Sequence, residues 1–322
     1  MKIAEQLLND GIFSQDESRN IENFERDKPM SVHWELRSIL YLGILLLISG
    51  ISILVYLNLD TIGHQAIIAS IALGTGLCFY YGLKHKQPYT HEEIKQTTPM
   101  FDYIVLLGCL LLGILIGYLQ FQYSIFGLHY GIATLMPAVI YFMMAYFFDH
   151  KGILSLGITG FAAWVGLTIT PMELLNNNDF SSLQIIISAI VIGVILAGFS
   201  KIAEIKSIKK HFGFTYNNFA ANILFIATLA ALFDQDLKVI SFIVLAGICY
   251  YYLKYAIEQQ SFLFLLISVI YGYIGLTYAF FSVLIEMNNE LGFLLGMFFI
   301  LASCVGIVLF FIYYKRILKI KK

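Results

Sequence analysis

The residues able to do chemistry are few and scattered along an apolar chain. His85, His91, Glu92 and Glu93 share one connection and are metal-ligand types, but they lack the His-x-x-x-His spacing that sets two imidazoles on one helical face, and Pro88 interrupts them. That stretch reads as a solvated loop. Asn176, Asn177, Asn178 and Asp179 form an acidic outer loop able to hold a cation, with plain solvation as the simpler account. Pro137 sits mid-way along an apolar run, where it removes a backbone donor and frees carbonyls near Ala133 and Thr134. Those carbonyls either line a cavity or mark a kink made for packing. Asn222 and Trp164, the latter with Thr159 and Thr168 nearby, are the best contacts for a neutral ligand, although bonding a neighbouring helix is the commoner role of a buried Asn and packing the simpler account of Trp164. Pro137, Trp164 and Asn222 therefore mark a candidate substrate path. No Gly-rich phosphate loop, Ser-His-Asp order or nucleic-acid module is present, so the chain reads as no enzyme, with no catalytic residues, no cofactor, no metal and no nucleic-acid partner.

Composition states what must position these residues. Hydrophobic residues make up 59% and charged residues 13% of the 322, with a mean hydropathy of +0.79; an average soluble domain has roughly 25% charged residues. Apolar runs recur at 38–57, 66–83, 103–119, 131–148, 153–170, 183–199, 219–233, 239–255, 262–285 and 291–314. Crossing about 30 Å of hydrocarbon as a helix takes about 20 residues. The expected fold is an all-α membrane protein with ten transmembrane helices over 38–314, the lipid bilayer being its first partner.

Residues 1–37 read as a cytoplasmic helical hairpin. Lys2 to Asp10 can form one helix, with Gly11 as its left-handed cap; Ser14 and Glu17 form a capping box opening a second helix to about Arg26. Leu7, Leu8, Ile21 and Phe24 are its apolar positions, too few for a stable core, and so a candidate docking face for a cytoplasmic protein. Pro29 ends the hairpin and Trp34 lies where an interfacial anchor belongs. Residues 315–322 form a basic tail.

Ten crossings place all Lys and Arg except Lys238 on one face, while Asp60, Glu173, Asp179, Asp234, Asp236, Glu286 and Glu290 lie on the other. The positive-inside rule then puts both termini in the cytoplasm of a bacterial inner membrane. The aromatic clusters 79–81, 146–148, 250–252 with Tyr255, and 313–314 fall at cytoplasmic helix ends and read as interface anchors. Between the sixth and seventh runs, Ile202, Ile205, Ile208 and Phe212 fall on one side of a helix flanked by Lys206 and Lys210. It reads as an interfacial helix favouring anionic lipid, or as an extension of the sixth span with a solvated basic side.

No Asp, Glu, Lys, Arg or His lies well inside a run, which argues against a proton pump with a buried carboxylate. Gly113 with Gly117, and Gly292 with Gly296, signal close helix contacts, favoured within one chain. Cys78, Cys109, Cys249 and Cys304 have no pairing pattern and read as small buried hydrophobes.

The head and first span resemble the bacterial membrane-protein family called domain of unknown function 2157. The resemblance is carried by Leu7, the Gly11-Ile12-Phe13-Ser14 turn followed by Glu17 and Ile21, Gly43 and Gly50 in an apolar helix, and Asn58-Leu59-Asp60-Thr61-Ile62-Gly63 at its end. Leu59 stands where the family is expected to have tryptophan. The resemblance spans about residues 1–145 and implies a membrane protein without naming an activity. The ten-span layout is also similar to the drug and metabolite transporter superfamily, built from two inverted five-helix repeats, though 38–170 and 183–314 show no sequence match to each other. Two functions remain open: a transporter or facilitator of a neutral or amphiphilic small solute, and a membrane scaffold whose head recruits a partner protein.

Overall fold

The computed structural model describes residues 33–57, 63–94, 99–127, 130–169, 182–233, 238–287 and 290–319. Over these the chain is all helical, with no strand: α1 His33–Leu57, α2 His64–His85, α3 Pro99–Tyr123, α4 Tyr130–Phe148, α5 Lys151–Ile169, α6 Leu183–Lys206, α7 Lys210–Phe233, α8 Lys238–Glu258, α9 Phe262–Met287 and α10 Glu290–Ile317. Among the described residues, nine of the ten helices are long and apolar enough to cross a membrane, while α1 carries a shorter apolar stretch, Ser38–Leu54. The chain is a multi-helix membrane protein. The expected hairpin, with Leu7, Leu8, Ile21 and Phe24, lies outside the described residues, as does the 176–179 loop. Residues 1–61 form one unit and 62–322 another.

Within 62–322, α4 with α5, α6 with α7 and α8 with α9 pack as antiparallel pairs, because their connections are short, of two, three and three residues; α2 packs with α3 across the longer connection 86–98. Small residues let the paired backbones approach, the contact that replaces the hydrophobic effect between helices in lipid. Gly160 of α5 faces Ala138 of α4, Gly108 of α3 faces Cys78 of α2, Gly193 of α6 faces Leu224 of α7, and Gly275 of α9 faces Leu245 of α8. Of the four expected contact glycines, Gly113 meets the Tyr141 hydroxyl of α4 and Gly296 meets Phe281 of α9, both within the chain, while nothing lies near Gly117. α4 runs through Pro137 unbroken.

α7 is the central helix. Fourteen of its 24 residues are buried, and it packs against α5, α6, α8 and α9. It also begins earlier than its hydropathy suggests, at Lys210 rather than Phe219. The expected single helix carrying Ile202, Ile205, Ile208 and Phe212 is not formed: α6 stops at Lys206, Ser207 and Lys209 take left-handed backbone angles (φ 55° and 48°), and α7 starts at Lys210. Ile205 is 79% exposed whereas Phe212 is fully buried, so the four residues share no face.

Two further expectations are corrected. The aromatic clusters divide, with Tyr80, Phe147, Tyr250, Tyr251 and Tyr313 exposed but Phe148, Tyr252 and Tyr255 buried in the bundle. Hydroxyls aimed at polar partners on other helices drew the buried tyrosines inward, as described below. Of the cysteines only Cys109 is fully buried, and Cys304 lies on the exposed face of α10.

Candidate functional site

Three connections meet at one end of the bundle, and a buried ion clamp joins them. Asp149 occupies the two-residue α4–α5 turn in a left-handed conformation (φ 58°) that a short polar side chain tolerates. Its Oδ1 forms an ion pair with Lys209 Nζ at 3.0 Å and accepts from His211 Nε2 at 2.8 Å, and its Oδ2 accepts from the Ile94 amide at 2.7 Å. Side-chain exposure is 1% for Asp149, 0% for Lys209 and 8% for His211. Lys209 also donates Nζ to the Glu92 carbonyl (3.2 Å) and its amide to the His91 carbonyl (2.8 Å), and its ammonium lies 5.0 Å from the Tyr89 ring centroid.

A buried charge is tolerated when paired and hydrogen-bonded, and each charge here is. The clamp thereby straps the α2–α3 connection, residues 86–94, across the ends of α4 and α7. The side chains of His85, His91, Glu92 and Glu93 are exposed, as a solvated loop requires, but the backbone beneath them is pinned. Among the described residues no three His, Cys, Asp or Glu side chains are grouped to hold a metal ion. The donors of the clamp are already engaged, which makes it a fastening.

Sequence reasoning missed this clamp: it counted Lys209 only among the basic residues of one face, whereas its side chain is completely buried. The available signal was parity: with alternating helix directions, Asp149 and Lys209 must lie at the same end as residues 86–94.

At the strap's edge Lys151 Nζ meets Glu93 Oε1 at 2.7 Å, both groups about half exposed. The hydrogen bond and charge of Lys151 hold the Glu93 carboxyl below its ordinary value. A lowered carboxyl pKa adds stability above the ordinary carboxylate range and loses it as pH falls through the lowered value. Replacing Lys151 by methionine is expected to move the Glu93 titration back up, read from its carboxyl carbon shift, with little change in stability at pH 7 because the pair is exposed.

The candidate path residues occupy separate places. Pro137 is buried on α4, and the carbonyl of Thr134, one turn before it, lies against Gly160 of α5. Trp164 packs on Phe161 (ring centroids 5.3 Å apart) and against Gly131 of α4. Asn222 bonds between helices: its Oδ1 accepts from the Tyr271 hydroxyl of α9 at 3.1 Å, and its Nδ2 donates to the Asn218 carbonyl at 2.9 Å.

Asn222 is one member of a polar spine along α7. The Tyr252 hydroxyl of α8 donates to Asn217 Oδ1 (3.3 Å), and the Tyr146 hydroxyl of α4 is hydrogen-bonded to that of Tyr216 (3.0 Å). These bonds fasten α4, α8 and α9 to the central helix, a role such bonds serve in membranes.

Beside this spine lies an apolar groove of about 250 Å³, lined by residues of α5 (Val165, Gly166), α6 (Ala189, Ile192) and α7 (Ile226, Ala230) among others. Its one hydroxyl, on Ser188, donates to the Gln184 carbonyl of its own helix at 2.6 Å. An apolar cavity of about 150 Å³ already admits benzene. The groove adjoins the predicted path without including it, since Val165 follows Trp164 and Ile223 follows Asn222.

Comparison with known proteins agrees with the membrane architecture. Residues 5–154 match the model of a family described as predicted membrane protein (DUF2157). The match covers a little under half of the chain, from the head through α4 and into α5. It therefore contains Asp149 and the strap, whereas Lys209 and His211 lie beyond it. No curated protein and no solved structure matches the chain.

Proposed function

We propose that the chain is a non-enzymatic facilitator in the bacterial cytoplasmic membrane that moves a neutral or amphiphilic small solute. In this reading it crosses ten times, α1 included, with both termini in the cytoplasm. The partition of basic residues supports the orientation. The observation that carries the reading is the groove between α5, α6 and α7, which accepts an apolar moiety while the polar spine beside it is already bonded within the protein. A solute with an apolar body suits such a wall, and a bare ion does not.

The test uses the full chain in vesicles carrying a fluorescently labelled short-chain lysolipid, with external dithionite reading how fast label crosses. Wild-type vesicles are expected to translocate it faster than protein-free ones, and Ala189→Phe or Ala230→Phe, which fill the groove, to return the rate to that of empty vesicles. Equal rates with and without protein, or rates indifferent to the filled groove, would overturn the reading.

A further inference from the structure

A second opening lies where α6 ends, α7 begins and the α8–α9 turn passes. It is a recess of about 670 Å³ lined by Glu204, Lys210, Gln259 and Ser261, with Phe214 and Phe264 as its aromatic wall. Phe264 is fully buried and meets the half-exposed Phe214 edge-on at 5.4 Å. Glu204 is held in place: its Oε1 accepts from the Tyr255 hydroxyl at 3.3 Å and its Oε2 pairs with Lys201 at 3.1 Å. Lys210 is exposed, and among the described residues its ammonium forms no ion pair.

We propose that this recess binds a phosphoethanolamine headgroup, phosphate toward Lys210 and Ser261, primary ammonium toward Glu204. The reasoning is charge and donor matching. A net cation would meet Lys210 with Lys201 nearby, and a net anion would pair with Lys210 but bring no donor to the spare acceptor position of Glu204; a zwitterion satisfies both. A carboxylate offers about four acceptor positions, and Tyr255 and Lys201 leave room for a further N–H donor. A primary ammonium supplies that donor and a quaternary one does not. The recess also sits at the ends of apolar helices, at the level where headgroups lie. It is distinct from the apolar groove, and its reading does not rest on the facilitator.

The experiment is native mass spectrometry of the delipidated full chain, titrated with phosphatidylethanolamine, phosphatidylcholine and phosphatidylglycerol in turn. Retention of the ethanolamine lipid over the other two is expected. Lys210→Ala, at an exposed position that leaves the fold intact, is expected to weaken that retention about tenfold, as loss of one charged hydrogen bond does. Glu204→Gln should do the same, while Lys206→Ala, an exposed lysine outside the recess, should change nothing. Soluble phosphoethanolamine separates two sources of the same chemistry: displacement of the lipid shows that the free headgroup suffices, and selective lipid retention without displacement assigns the site to the bilayer. Equal binding of all three lipids, or ethanolamine-lipid binding indifferent to both Lys210→Ala and Glu204→Gln, would overturn the proposal.

Discussion

Asp149→Ala is expected to destabilise the bundle by about 3–5 kcal/mol, the cost of breaking a buried ion pair by removing one partner. Among the described residues the carboxylate is the one anion paired with Lys209, whose side chain is fully buried, and it also holds His211 and the Ile94 amide. Thermal unfolding of the detergent-solubilised protein checks the magnitude. Trypsin checks the mechanism, since release of the strap should expose Lys84 and Lys86 to rapid cleavage. The double variant Asp149→Ala with Lys209→Met should recover much of the loss, the orphaned charge having been removed with its partner. A single variant as stable and as protease-resistant as wild type would show that the clamp contributes nothing.

Phe225→Ala carries the second large expected effect, about 3 kcal/mol from the cavity it leaves. Phe225 is completely buried on α7, stacked on Tyr271 at 5.1 Å and tilted against Tyr252 at 5.7 Å. Both tyrosines donate to the α7 spine, so removing the ring also loosens the Tyr271–Asn222 and Tyr252–Asn217 bonds. Phe298→Ala on α10, 61% exposed, is the matched comparison and should be nearly neutral, because lipid chains fill the space a side chain vacates on the outer surface. Unfolding in increasing dodecyl sulfate distinguishes the two; equal losses would mean that α7 is not the packing centre.

Hydropathy made most helices visible because a water-soluble fold rarely sustains an apolar run long enough to cross a bilayer. It failed at the first half of α7, where Lys210 to Asn218 reads as polar connection. Phe212, Gly213, Thr215, Tyr216 and Asn217 within it are covered by protein, and a scale calibrated against lipid or water does not register partners supplied by other helices. Asn222 was visible as a lone polar residue within an apolar run, and its bond to Tyr271 is the interhelical role weighed for it. Tyr252 and Tyr255 were read as interface anchors because position at a helix end does not reveal which way a ring turns. The clamp was harder still. Asp149, Lys209 and the carbonyls of 91 and 92 come from three connections, and no local spacing links them. The groove likewise arises from small and branched residues on three helices, each ordinary in its own segment.

The tyrosine and asparagine spine has a consequence for the order in which the molecule can be built. The ribosome finishes α7 before α8 and α9, so Asn217 and Asn222 emerge ahead of the tyrosines that will bond them. Only Tyr146 of α4 is already made. Until residues 252 and 271 follow, the middle helix of the mature bundle is the one least content in lipid, and it is expected to linger beside the insertion machinery, paired with α6, until its last two partners arrive. A chain truncated after Phe233 would therefore keep every upstream helix and still lack a settled core.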